Sequence, residues 1–391
     1  MKNRSILVTI LLVSMLVLTL ALPAYAATAS QTAYVYGFDF DDGVNTTEIA
    51  AQEQMYLSNL GYETYCNTSA TASFAIGTSP TTGVSRMNSG VVVFNGHAGP
   101  GSMQMEHATS GTTYLTAIKS GGSYQKFGDI NMNNCKAAIF MGCKTASTAR
   151  SSTYGVLTEE AVDQGADCSF GWNDSVETDV ATEFRERFFY FLRYGYSVSN
   201  AAANAASEMP WFDETRDYSI EGTGGTTLTI AKTATSDKNL LSYDEAMALI
   251  DNNDYRFVEE MENGTQVYVR YINNIPTTES IDLYPSMGTA RKNGVTFSKQ
   301  DELVAKNISS DKASSTISMA TTIFDASNRF NAIGKPESLD VYCKIKDEMK
   351  LVRITKQQYI TEDQECYYLD VVCTDLTTGN PIDYMDIVKG M

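Results

Sequence analysis

The pattern of hydrophobic and polar positions predicts alternating buried strands and amphipathic helices in the first half of the chain. Two apolar runs, residues 91–94 and 137–141, each break into a glycine-containing turn, as short strands buried on both faces do. The same pattern predicts further strands at residues 32–38, 62–66 and 167–172. Apolar residues spaced three and four apart predict helices at residues 46–60, 155–164, 179–192 and 197–208. This strand–helix alternation indicates parallel strands joined by right-handed crossovers.

The remaining segments differ in composition. Residues 67–90 are rich in Ser, Thr, Ala and Gly, which predicts a surface loop. Residues 221–227 read Glu-Gly-Thr-Gly-Gly-Thr-Thr, which predicts a flexible linker between a domain at 28–220 and a region at 228–391. In that second region we predict a helix at 243–250, turn-rich breaks near 286–294 and 307–315, and strands at 266–272, 338–345, 350–354 and 366–372. The region is therefore expected to be α+β, and no catalytic motif occurs in it.

Residues 1–27 have the features of a signal peptide. Lys2 and Arg4 precede an apolar run at residues 6–22, and Ala24-Tyr25-Ala26 is a small-x-small cleavage pattern. The alternative is a retained anchor, but the run lacks a charged stop-transfer flank. We therefore expect a secreted or extracytoplasmic protein without stable membrane insertion. The junction has a bacterial character.

The charge of the chain limits the partners it can have. The formal net charge is −18, and removing Lys2 and Arg4 leaves 27 − 47 = −20 for residues 28–391. So acidic a surface disfavours nucleic acid and anionic membranes as partners. It is compatible with basic peptides, although solubility alone explains it equally well.

Cysteine and histidine counts restrict metal and redox chemistry. The seven cysteines include no CxxC pair, and His97 and His107 are the two histidines, so we predict neither a metal site nor a cofactor. With Cys143 set aside, three cysteines remain in each half of the chain, so they cannot all pair within their own half. Either one disulfide joins the halves or several thiols stay reduced.

The two glycine-marked turns carry the candidate chemistry. His97 follows the first apolar run and Cys143 follows the second. A nearby imidazole can activate a thiol as a nucleophile and later protonate a leaving amine. Each residue alone has a simpler explanation, since buried cysteines often only fill space and turn histidines are often structural. Both together, at the ends of predicted neighbouring strands, favour a catalytic pair.

The segments Phe94-Asn95-Gly96-His97-Ala98-Gly99 and Phe140-Met141-Gly142-Cys143-Lys144-Thr145 resemble the histidine and cysteine motifs of clan CD cysteine peptidases, the caspase, gingipain, clostripain and separase group. The likeness is greatest to CHAT domains, through the Cys-x-Thr, the following helix, Gly165-Ala166 and the Trp172 turn. It covers residues 32–209 in layout and 88–209 in motifs. The 143 − 97 = 46 residues between histidine and cysteine compare with roughly 50 in caspases.

That resemblance implies a fold and a set of roles. The expected fold is α/β, a caspase-like three-layer sandwich with a mostly parallel sheet, followed by an α+β C-terminal region. His97 would be the base and Cys143 the nucleophile, with the backbone N–H groups of Ala98 and Cys143 forming an oxyanion hole. Relatives usually have glycine where Ala98 stands, but a backbone N–H survives that change. Residues 243–272 and 367–382 resemble PepSY-type modules, whose role here is left open.

Several relatives carry an acid in the pocket for the residue before the cut bond. Asp174 is our candidate for this acid, with Asp39 and Asp41 as rivals, and a buried carboxylate there would select Arg or Lys. Trp172, on the strand before Asp174, is the second candidate for substrate binding. Asp174 could equally cap the helix predicted near 179. The cluster Asp39, Asp41 and Asp42 could hold calcium, although a solvated loop explains it better because the EF-hand spacing is absent.

The expected function is therefore an exported cysteine endopeptidase. It would cleave a polypeptide substrate through a thioester, after Arg or Lys. The alternative is a non-catalytic caspase-like surface protein with a C-terminal binding module. Oligomeric state is not predicted.

Overall fold

The computed structural model describes residues 28–40, 42–228, 240–260, 265–285, 288–294, 296–298, 301, 304–305, 330–361 and 365–389. The predicted signal peptide, Asp41 and the predicted break near 307–315 lie outside the described residues. Over the described ranges, no helix is both long enough and apolar enough to cross a membrane.

The first half of the chain is built around one mostly parallel sheet. Its strands and those of a smaller neighbouring sheet are, in chain order, β1 (Thr32–Tyr36), β2 (Glu63–Asn67), β3 (Val91–Asn95), β4 (Ala98–Gly99), β5 (Ser102–His107), β6 (Gly111–Thr116), β7 (Tyr124–Lys126), β8 (Ala137–Met141), β9 (Cys168–Trp172) and β10 (Tyr218–Gly222). The main sheet has the order β10-β9-β8-β3-β1-β2, and β10 alone runs antiparallel to its neighbour. The predicted parallel sheet is confirmed.

Helices cover both faces of this sheet. They are α1 (Thr47–Asn59), α2 (Ala72–Ile76), α3 (Ser151–Tyr154), α4 (Leu157–Asp163), α5 (Thr178–Arg193) and α6 (Val198–Ser207). Helices α1, α5 and α6 pack on one face, where Phe184 and Phe188 of α5 bury the apolar stripe that predicted the helix. Helices α2 and α4 and the sheet β4-β5-β6-β7 cover the other face. This is the predicted three-layer sandwich, although the loop expected at 67–90 contains α2.

The C-terminal region is α+β, as predicted. Its described elements are β11 (Leu240–Ser242), α7 (Tyr243–Asn252), β12 (Tyr255–Glu260), β13 (Gln266–Ile272), β14 (Ile275–Tyr284), β15 (Thr289–Asn293), β16 (Phe330–Ile345), β17 (Glu348–Thr361), β18 (Tyr367–Asp375), β19 (Pro381–Ile382) and α8 (Tyr384–Lys389). The break predicted near 286–294 is confirmed only at its start, where the N–H of Gly288 donates to the carbonyl of Pro285, because Thr289–Asn293 form β15 and pair with both β11 and β14.

The two halves share one hydrophobic core. Val341, Val352 and Ile354 of the C-terminal sheet belong to the same buried cluster as the α5 side chains. A buried ion pair of 2.5 Å joins Arg216 to Asp282 across the contact. The C-terminal region is therefore packed firmly against the sandwich, and the linker predicted at 221–227 begins inside β10.

All seven cysteines are unbonded in the structure. Of the two arrangements left open by the sequence, the structure has reduced thiols and no bridge between the halves. Six of the seven are buried, and Cys66 is half-buried.

Candidate active site

The turns that carry His97 and Cys143 lie side by side at the carboxyl edge of the main sheet. Strands β3 and β8 are parallel neighbours, with Asn95 opposite Met141. The N–H of Gly96 donates to the carbonyl of Met141 at 3.2 Å, so the two strands stay paired up to the turns. Both His97 and Cys143 line one cavity of about 220 Å³.

Gly142 shows how closely the two turns approach each other. A Cβ at this position would lie 2.6 Å from the Cβ of Ala98 and 2.7 Å from the carbonyl oxygen of Gly96. Only glycine fits there without moving the histidine turn. The backbone of Lys144 is left-handed, with φ 58°, a conformation that a side chain rarely adopts. Tight packing before Cys143 and a strained residue after it therefore define the position of the thiol.

Thr145 holds the cysteine turn from inside. Its hydroxyl oxygen lies 2.8 Å from the carbonyl oxygen of Phe140 and 3.1 Å from that of Gly142, and it accepts the N–H of Trp172 at 3.2 Å. Because Thr145 is fully buried, its hydroxyl satisfies backbone polar groups that water cannot reach. The threonine of the Cys-x-Thr motif is therefore a support for the turn between β8 and β9.

The Cys143 thiol is largely enclosed. Its side chain is 8% exposed, and its Sγ accepts the N–H of Val176 at 3.5 Å. Burial raises the pKa of Cys143 to about 11, while the Val176 N–H and the charges of Lys144 and Arg185 act in the opposite direction. In this arrangement the group is a thiol and not a thiolate near neutral pH.

An acid from the β1 turn holds the imidazole. Nε2 of His97 lies 2.9 Å from Oδ2 of Asp42. Burial raises the pKa of Asp42, but the hydrogen bond and charge of His97, together with a bond from Tyr368, outweigh it and bring the pKa down to about 2. The ring of Phe40 packs on the imidazole with a centroid separation of 4.4 Å. Asp42 is therefore ionised and orients the ring through Nε2, which leaves Nδ1 for other partners.

A tyrosine from the C-terminal region completes the surroundings of His97. The hydroxyl of Tyr368 donates to Asp42 and lies 3.1 Å from Nε2 of His97. The two rings pack with centroids 4.6 Å apart. Burial, followed by the Asp42 carboxylate, raises the pKa of Tyr368, so its hydroxyl keeps its proton. Strand β18 is thus part of the cavity wall through four successive residues, Tyr367, Tyr368, Leu369 and Asp370.

Buried polar groups lie under the two strand ends. Arg185 of α5 lines the cavity and donates to the carbonyl of Met141 at 3.4 Å. Asn95 donates to Glu53 at 2.6 Å. Burial raises the pKa of Glu53 to about 7, although Arg185 and Asn95 lower it. A titratable carboxyl therefore lies in the core directly behind the site.

The other predicted site residues occupy different positions. Ala98 is buried beside His97 in β4, opposite Met103. Trp172 is fully buried, and its indole N–H donates to the carbonyl of Thr215 at 3.0 Å. Asp174 forms an ion pair with Lys144 and accepts a hydrogen bond from Gln358 at 3.2 Å. Neither Trp172 nor Asp174 is among the residues that line the cavity.

Two alternatives from the sequence can be placed as well. Glu177, not Asp174, caps α5 by accepting the N–H of Val180 at 2.8 Å. The acidic cluster considered for calcium contributes Asp42 to His97 instead. Asp39, in the same turn, is exposed. Within the described ranges, no group of three or more His, Cys, Asp or Glu side chains is arranged to hold a metal ion.

Sequence reasoning missed Asp42, Arg185 and Tyr368 as parts of this site. A signal existed for Asp42, because it follows β1, the strand next to β3, and such turns gather at one sheet edge. Arg185 falls on the buried side of α5, and the helix pattern does not indicate that this charged residue belongs to the site. For Tyr368, 271 residues after His97 in the chain, no local signal existed.

Comparison with known proteins gives distant structural likeness only. No protein-family model matches the chain. No curated protein matches it. Among solved structures it is similar to the Arg-specific cysteine proteinase gingipain R, with 8% identity, a TM-score of 0.35 and coverage of 68% of this chain and 62% of that one. It is also similar to a complex of Porphyromonas gingivalis RgpB pro- and mature domains, with 8% identity, a TM-score of 0.32 and coverage of 68% and 63%. The matched part spans less than two thirds of each of those chains.

Proposed function

We propose that this protein is an exported cysteine endopeptidase in which His97 activates Cys143. The thiolate attacks the carbonyl carbon of a peptide bond and forms a tetrahedral oxyanion, to which the N–H groups of Ala98 and Cys143 donate. The C–N bond then breaks, and the imidazolium passes its proton to the leaving amine. Water, deprotonated by His97, hydrolyses the thioester and regenerates the thiol. Asp42 orients the imidazole throughout.

One observation carries this proposal. His97 and Cys143 line the same cavity at the carboxyl edge of a parallel sheet, on turns pressed together at Gly142. The Asp42–His97 bond adds the orienting acid that a base in this role needs. A Cys143→Ala variant should lose cleavage of a mixed peptide library by a factor on the order of 10³ or more, as expected from removing a covalent nucleophile. Cleavage that persists unchanged in this variant would disprove the role of Cys143.

A preference for Arg or Lys is the finer part of the proposal, and it depends on Asp174. Lys144 already neutralises this carboxylate, so a substrate cation would have to displace Lys144. The test compares Asp174→Asn with wild type on paired peptides that differ only in Arg or Gln before the cut bond. If both enzymes discriminate between them equally, or neither does, Asp174 does not determine specificity.

A further inference from the structure

The ends of strands β17 and β18 project over the candidate site and form what we call the arm, residues 357–361 and 365–370. The two strands pair closely, with Tyr359 opposite Tyr368 and Ile360 opposite Tyr367. The neighbouring stretch of β16, residues 331–338, is exposed. The arm is therefore an extension of the C-terminal sheet, and its β18 edge contacts the sandwich.

The first contact of the arm is with the imidazole. Tyr368 bonds to Asp42 and approaches Nε2 of His97, and its ring lies against the imidazole ring. Tyr367 lies 5.3 Å, from ring centroid to Nζ, from Lys144, the residue after Cys143. One dipeptide thus contacts both the histidine and the cysteine turns.

A second contact anchors the arm beside the first. The Glu365 carboxylate accepts hydrogen bonds from the hydroxyls of Tyr124 and Tyr154, each at 2.8 Å. The Sγ of Cys366 lies 3.0 Å from Oε1 of Gln104. All three partners belong to the first domain, so the arm rests on a polar surface that matches it.

The histidine turn is shaped to receive the arm. A Cβ on Gly99, two residues after His97, would lie 2.3 Å from the carbonyl oxygen of Glu365 and 3.4 Å from Cδ2 of Tyr367. A glycine at position 99 therefore permits the close approach of the Glu365 backbone. Any larger residue would push the two apart.

The rest of the C-terminal region is held elsewhere. Arg216 pairs with Asp282, and the indole N–H of Trp211 donates to the carbonyl of Thr277 at 2.8 Å. These contacts do not involve the arm. These contacts hold the remainder of the region in the shared core independently of the bonds that the arm makes with the site.

We infer that the surface around His97, Gly99 and Tyr154 is a docking site for the chain's own arm, and that the docked arm holds the peptidase closed. This inference rests on the proposed function of the same site. The ring of Tyr368 packs against the imidazole, and residues 367–370 line the same cavity as His97 and Cys143, so a substrate strand would have to compete with them for that wall. Peptide hydrolysis requires the arm to be displaced.

Two variants release the arm by different means. Tyr368→Phe removes the hydroxyl that bonds to Asp42 and His97, and Gly99→Ala drives the Glu365 backbone away. The matched controls are Tyr359→Phe, which removes a hydroxyl from the facing strand, and Gly225→Ala, where a Cβ would meet no heavy atom within 4 Å. The measurements are kcat/KM on a peptide library and the rate at which iodoacetamide alkylates Cys143, located by mass spectrometry.

Tyr368→Phe should raise both rates by roughly tenfold or more, since a lost hydrogen bond to a charged group changes an equilibrium by about that factor. Gly99→Ala should raise both rates as well, because its Cβ would lie 2.3 Å from the carbonyl oxygen of Glu365. The controls should match wild type. Rates in both releasing variants that equal wild type would overturn the inference, and so would a fall in kcat/KM for Tyr368→Phe, which would make the hydroxyl part of catalysis. If Cys143 is alkylated faster in the releasing variants but no variant cleaves peptides, the docking site for the arm is supported and the proposed peptidase activity is refuted.

Discussion

The bond between Asp42 and His97 gives the sharpest quantitative test of the site. Asp42→Asn keeps the shape of the side chain and removes the charge that orients the imidazole. The pKa of Asp42 falls from 3.8 to about 2 in the folded chain, and a unit of pKa corresponds to about 1.4 kcal/mol. Burial and Tyr368 share in that balance and Asp42 is 16% exposed, so we assign roughly 1–2 kcal/mol to the His97 bond after screening. Loss of this bond should lower kcat/KM about 5- to 30-fold.

The measurement must separate two effects of opposite sign. Asp42 also accepts a bond from Tyr368, so the substitution weakens arm docking, which should raise activity, while it weakens the orientation of His97. We therefore compare the single variant Tyr368→Phe with the double variant Tyr368→Phe/Asp42→Asn, because the tyrosine hydroxyl is absent from both. Asp39→Asn is the control, because Asp39 lies in the same turn but is exposed and outside the cavity wall. Equal kcat/KM values for the single and the double variant would refute an orienting role for Asp42.

Two further predictions concern the support of the site. The pKa of Glu53 is raised from 4.5 to about 7, chiefly by burial, so its contribution to stability is fully present below pH 4.5 and is lost as the pH rises through 7, by roughly 3 kcal/mol. The free energy of unfolding in urea should therefore fall less steeply between pH 4.5 and 8 for Glu53→Gln than for wild type. If the free energy of unfolding depends on pH in the same way for both proteins, Glu53 does not titrate in the core as described. Thr145→Val leaves the Trp172 N–H without its acceptor and should cost about 1–3 kcal/mol in urea unfolding, whereas Thr145→Ser should remain near wild type. A stable Thr145→Val variant would show that the turn does not depend on this hydroxyl.

The main sheet and the positions of the two turns could be predicted because the signals for them are local. Strands β3 and β8 are short apolar runs that each end in a glycine-containing turn. The connections from β1 to β2 and from β8 to β9 contain helices that the spacing of apolar residues indicates. Once β3 and β8 are neighbours, the turns after them must lie at one edge of the sheet. The ion pair between Asp174 and Lys144 could not be predicted in this way. It depends on the left-handed backbone of Lys144 after Cys143, for which the sequence pattern contains no signal.

The C-terminal strands were underestimated for an equally physical reason. Strand β16 was predicted only from residue 338, yet it begins at Phe330. Gly334 has φ 71° and is followed by Pro336, and both residues normally end a strand. Here they fall at a bulge, where the register with β17 shifts between Ile333 and Glu337. Gly334 and Pro336 are thus accommodated in the bulge, and β16 continues to pair with β17 on both sides of it.

That extension decides what the C-terminal region can reach. A β16 that stopped at the bulge would leave the ends of β17 and β18 without a neighbouring strand, and an isolated two-stranded hairpin has little stability in water. With β16 pairing through Phe330, opposite Thr361, the arm has three strands along its length and can hold Tyr368 against His97. The contact therefore depends on pairing within the C-terminal sheet and on a surface from the first domain. Neither could be recognised from the Tyr-Tyr-Leu-Asp segment alone, because its apolar alternation is typical of any half-buried strand.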